Sequence, residues 1–135
     1  MLLWFIGTAL VTVALVFRSP AVDHRLVALG SVLPVAEVFA GRPLVLHTLL
    51  APAVLMGAIM ALARGRRLAQ RRWLGLPIGL FLHLVFDRTW SVTRLFWWPF
   101  AGWSFAERRL LEFESLVVAG VLEAVGLALL VWFGR

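Results

Sequence analysis

The stretch "GLFLHLVFDRTW", residues 79 to 90, sets His83 and Asp87 four positions apart inside an otherwise apolar run. On a helix, positions i and i+4 share a face one turn apart, so this imidazole and carboxylate can act as a pair. The rest of the chain has to explain why an apolar segment carries such a pair.

Composition supplies the setting. The chain has 135 residues, one domain by length, and 62% of them are hydrophobic, with a mean hydropathy of +0.95. Soluble domains hold roughly 45 to 50% apolar residues, so this is the composition of an integral membrane protein. The net charge of +6 comes from thirteen arginines and no lysine. These arginines sit between apolar runs, the pattern of membrane topology rather than of nucleic-acid binding, and nucleic acid is not an expected partner. With no cysteine there is no disulfide and no thiolate site, so a metal would have to be held by His, Asp and Glu.

The apolar runs can be threaded. "MLLWFIGTALVTVALVF", residues 1 to 17, is long enough for a hydrocarbon core of about 30 Å when it stays helical. It has neither a basic n-region nor a clear small-residue cleavage site, and is read as a retained helix. Residues 26 to 40, "LVALGSVLPVAEVFA", are bent by Pro34 and interrupted by Glu37, giving a kinked crossing or a re-entrant hairpin. Residues 43 to 63 have spanning length, with a kink expected at Pro52; a fourth segment runs from Trp73 to about Trp90, and a fifth from 115 to 133. The expected fold is therefore an all-α integral membrane protein: one polytopic domain over 1–135, a bundle of four to five transmembrane helices with one kinked or re-entrant.

The loop "RGRRLAQRR", residues 64 to 72, carries Arg64, Arg66, Arg67, Arg71 and Arg72 and is expected to be cytoplasmic in a multi-pass plasma-membrane protein. Five crossings put Arg18, Arg25 and Arg135 on that side as well, eight arginines inside against five outside. A re-entrant second segment would reverse the balance, so five crossings are preferred.

Depth can then be estimated at 1.5 Å per helical residue from the cytoplasmic loop. His47 lies roughly 24 Å up, Asp87 roughly 21 Å, His83 roughly 15 Å and Glu37 roughly 17 Å. Four ionisable groups on three segments thus share the outer half of the membrane. Such groups are costly in lipid; they face a bundle interior, where they pair or function. Two histidines and two carboxylates suit a divalent metal, with water activation for hydrolysis where a coordination position stays open. The alternative is that His47, His83, Asp87 and Glu37 are interhelical hydrogen-bonding glue.

Three stretches also resemble a known family, the YdjM-like (DUF457) membrane-bound metal-dependent hydrolases. "GSVLPVAE" (30–37) resembles its L-L-P-D-x-D stretch, and "GRPLVLHTLL" (41–50) its H-R-G-x-T-H-S stretch. "IGLFLHLVFDRTWSVTRLFWWPF" (78–100) resembles its G-x-x-x-H-x-x-x-D with the following leucine-tryptophan-proline run. The resemblance implies a divalent metal, zinc or alternatively manganese, on His47, His83 and Asp87, with Glu37 and Glu112 as catalytic carboxylates. It implies hydrolysis of a phosphoester or other ester in a lipid-like substrate. The chain departs from the family at Val35 and Gly41, where the family has an acidic residue and a histidine, and a catalytically inactive membrane subunit or scaffold is the other reading.

Arg88, Arg94 and Trp98 fall on the same outer side as candidate substrate-binding residues, the arginines for a phosphate and the tryptophan in a Trp-rich lip; binding of lipid phosphates and an ordinary aromatic belt are the competing readings. "FAERRLLEFES" (105–115) reads as a short interfacial amphipathic helix. Glu123 in the last segment is expected to bond within the bundle. Gly120, Ala124 and Ala128 offer a close-packing face for a neighbouring helix, within the chain or in a membrane protein partner or second copy. Membrane lipids are the other expected partners.

Overall fold

A computed structural model of the chain describes residues 1–40, 44–104 and 115–135. Every regular element among them is helical: α1 (Leu2–Phe17), α2 (His24–Val32), α3 (Leu50–Leu62), α4 (Arg67–Trp73), α5 (Gly75–Phe86), α6 (Thr93–Phe96) and α7 (Leu116–Phe133). Short 3₁₀ stretches occupy Leu33–Ala40, Val45–His47 and Thr89–Ser91. α7 is long and apolar enough to cross a membrane; α1 and α3 are apolar but shorter.

The second apolar segment divides in two. Asp23 caps α2 by accepting the Arg25 N–H at 3.0 Å. After nine residues the chain tightens into 3₁₀ geometry at Leu33, next to Pro34, whose ring nitrogen cannot continue the α-helical ladder. The third segment is also shorter than its apolar run, because α3 begins only at Leu50. Pro52 therefore falls in the first turn, where no N–H is needed, and produces no mid-helix kink.

Glycines set the closest helix contacts. On α5, Gly75, Gly79 and His83 are spaced by four and lie on one face. A Cβ on Gly79 would meet the Val27 carbonyl oxygen at 2.0 Å, and one on Gly30 of α2 would meet the Leu76 oxygen at 2.1 Å. The α2 and α5 backbones are thus in direct contact, the small-residue mode of packing found between membrane helices. α1 meets α7 in the same way at Gly7 and Gly126, whereas a Cβ on Gly120 would find open space. The close-packing residue that α7 uses within the chain is therefore Gly126 rather than the expected Gly120 stripe. Glu123 adds a polar tie to this contact, accepting the Leu3 N–H at 2.8 Å.

Apolar burial concentrates where α1, α2 and α5 meet, around Phe5, Ala9, Val13, Val27, Leu80 and Leu84. Outward faces are also apolar: on α7 Leu116, Val117, Val121 and Leu127 are exposed, and on α3 Val54, Met60 and Leu62.

One end of the bundle gathers the basic loops. Arg72 donates from Nε to Asp23 at 2.8 Å, and the His24 ring packs at a tilt against Phe133 with centroids 5.4 Å apart. The α1–α2 loop, α4 and the end of α7 therefore meet. Partial burial pushes the Asp23 carboxyl up, but the Arg25 N–H and the Arg72 guanidinium outweigh it and hold it below its ordinary 3.8.

Candidate metal centre

α5 climbs from the basic end, and its last turn delivers His83 and Asp87 to the opposite one. The Gly79 contact brings His83 against α2, where its Nδ1 lies 2.7 Å from the Ser31 carbonyl oxygen. A carbonyl only accepts, so Nδ1 carries the proton and, in the neutral ring, Nε2 keeps the lone pair. Phe5 of α1 covers the ring with centroids 3.9 Å apart.

Asp87 closes α5, its N–H bonded to the His83 carbonyl at 2.8 Å. Arg88 follows in the left-handed conformation, φ 58°, which ends the helix and turns the chain. That turn brings Thr89 beneath Asp87, and its hydroxyl donates to Oδ2 at 2.8 Å. Neither Ser31 nor Thr89 stood out in the sequence. Ser31 acts through a carbonyl that every residue has, while a threonine two positions after an aspartate is a turn signal legible on a second reading.

His47 arrives from the other direction, in the 3₁₀ turn Val45–His47, which is held by a Leu49 N–H bond to the Phe96 carbonyl at 2.9 Å. Its Nδ1 lies 2.6 Å from Glu37 Oε2. The same carboxylate accepts the Leu44 N–H at 2.6 Å and the Leu46 N–H at 2.7 Å. Glu37 is thus occupied by three donors and fixes the orientation of His47.

His47 and His83 meet edge to face, centroids 5.4 Å apart, and one ligand atom each from His47, His83 and Asp87 lies within 4.8 Å of the other two. All three residues are buried, with 2%, 2% and 3% of their surface exposed. Atoms bound to a common tetrahedral zinc at about 2.1 Å stand about 3.4 Å apart, so closing in from 4.8 Å requires each side chain to shift by about an ångström or less. Two imidazoles and one carboxylate form a three-ligand set suited to a divalent ion with one further position, and the donor chemistry fits.

Of the other candidates, Arg88 and Arg94 are exposed and stand outside this converging group, and Trp98 donates its indole N–H to the Trp103 carbonyl at 3.3 Å. Glu112, and with it the amphipathic stretch 105–114, lies outside the described residues, as do Gly41, Arg42 and Pro43. No family model, curated protein or solved structure matches the chain.

Proposed function

We propose that the protein is a multi-pass membrane protein whose His47, His83 and Asp87 hold a divalent metal, zinc or alternatively manganese, for hydrolysis of an ester in a lipid-like substrate. One observation carries this reading: both histidines have Nδ1 committed to an acceptor, a carboxylate for His47 and a backbone carbonyl for His83. That is the outer-shell arrangement of metal-ligating histidines, which fixes the tautomer and aims Nε2 at the ion. The resemblance of residues 41–50 and 78–100 to the YdjM-like hydrolases points to the same three ligands.

A divalent ion held there supplies Lewis-acid polarisation and the activation of water. The chain's own residues do the positioning. Glu37 acts through His47, since its oxygens are already engaged by three donors; it is a positioning residue in this scheme, not the base. Thr89 orients Asp87. Phe5 and the α1–α2–α5 core keep bulk water from the rings, which strengthens the electrostatics inside. Arg88 and Arg94 are assigned to a substrate phosphate, and Trp98 to the apolar lip beside it. The membrane setting is supported by α7 and by the apolar outward faces of α3 and α7.

The test is hydrolysis of phosphodiester and carboxylester lipids in mixed micelles. Activity that is removed by a chelator, restored by zinc or manganese and abolished in His83→Ala is the expected result. Activity that survives in His83→Ala would refute the assignment. A second reading, a non-catalytic subunit in which the cluster only joins helices, is favoured by one feature: each ring already has a protein partner. A chain that carries no metal and co-purifies with a larger membrane complex would support that reading instead.

A further inference from the structure

At the basic end, α3 and α4 diverge from the turn at Ala63–Arg66, where Gly65 takes φ 83°. The space between them and α5 is a groove of about 390 Å³. Leu55, Ile59, Ala69 and Leu76 are among its walls, and Arg66 and Trp73 bring the only polar side-chain groups to it. From Ala63 to Leu55 it extends roughly 12 Å along α3. A peptide would leave its backbone hydrogen bonds unmet on such walls. An occupant that suits them has a long apolar body and a single polar end next to Arg66.

Charge gives the sign of that end. Arg64, Arg66, Arg67, Arg71 and Arg72 follow one another along the loop and α4 without an acid between them, and only Arg72 has an ion-pair partner among the described residues. Arg66, the one of these that lines the groove, therefore brings an unneutralised guanidinium to it from a strongly basic segment. Guanidinium pairs well with phosphate oxygens, and Trp73, 49% exposed, stands where an indole meets the headgroup layer. We propose that this groove is a binding site for an anionic glycerophospholipid of the cytoplasmic leaflet, with one acyl chain along Leu55 and Ile59 and the headgroup phosphate on Arg66. The proposal rests on the membrane reading above but not on the metal centre, which lies at the other end of the bundle.

The experiment is native mass spectrometry of the detergent-purified protein, offered equal amounts of phosphatidylglycerol and phosphatidylcholine with identical acyl chains. Phosphatidylglycerol should be retained several-fold more. Arg66→Gln should cut that preference about fivefold. Arg64→Gln, on the same loop but away from the groove walls, should change it less than twofold, and Ile59→Trp should displace bound lipid by filling the groove. Equal retention of the two lipids, equal losses from Arg66→Gln and Arg64→Gln, or undiminished lipid in a folded Ile59→Trp would each overturn the site. Fractionation separates this from failure of the membrane reading: a chain released from membranes by carbonate without detergent sinks both, whereas a membrane-embedded chain without the lipid preference sinks only the groove.

Discussion

Glu37 is the residue on which the site turns. It lies in an apolar run, it is 8% exposed, and it joins two backbone N–H groups to the ring of His47. Glu37→Gln keeps the shape but weakens the carboxylate's hold on the imidazole, and metal affinity should fall about 10- to 100-fold, read by competition with a fluorescent chelator. Thr89→Val, which removes one bond to Asp87, should cost less than Glu37→Gln in the same assay. The i, i+4 spacing of His83 and Asp87 made half of this cluster legible in the sequence, because helical geometry alone puts them on one face. His47 was legible by depth. The Glu37–His47 bond was not, since it joins residues ten positions apart and no periodicity encodes that contact.

At the scale of elements, the α2–α5 contact determines whether His83 reaches Ser31. Gly79→Ala would place a methyl 2.0 Å from the Val27 oxygen, which is backbone and can move only with its helix. The variant should lose about 1–3 kcal/mol of stability and bind metal more weakly. Gly57→Ala on α3 is the contrast: a Cβ there meets nothing within 4 Å, and the change should stabilise by about 0.5–1 kcal/mol. Thermal unfolding of the two in one detergent decides the matter. The Asp23–Arg72 tie has its own signature. Because the folded-state pKa of Asp23 is lowered, its contribution is present above the ordinary value of 3.8 and is lost as pH falls through the lower folded value. Arg72→Gln should therefore lower stability modestly at neutral pH and flatten its loss in that acid window, so that the two proteins converge below it. The sequence showed the helical segments as apolar runs but not their true ends, because apolar residues continue into 3₁₀ turns at Leu33 and Val45 where hydropathy does not change.

For the whole molecule, the arrangement has two ends: the α1–α2 loop meets the arginine-rich α4 at one, through Asp23 and Arg72, and the His47–His83–Asp87 cluster lies at the other. The topology follows as a prediction. The chain has no cysteine, so a single introduced thiol reports its own side of the membrane. Arg67→Cys should react with a membrane-impermeant maleimide only after permeabilisation, and Thr93→Cys in intact cells. The reverse pattern would invert the orientation. Charge counting is the ground for that expected orientation, whereas the glycine contacts between the helices were visible in the sequence only as scattered small residues.

Whether the buried cluster is a metal centre is decided by elemental analysis of the purified protein by inductively coupled plasma mass spectrometry, with His47→Ala and Asp87→Ala beside it. A metal centre gives close to one zinc or manganese per chain, lost in both variants; a metal-free wild type, or a metal that survives both substitutions, would rule it out.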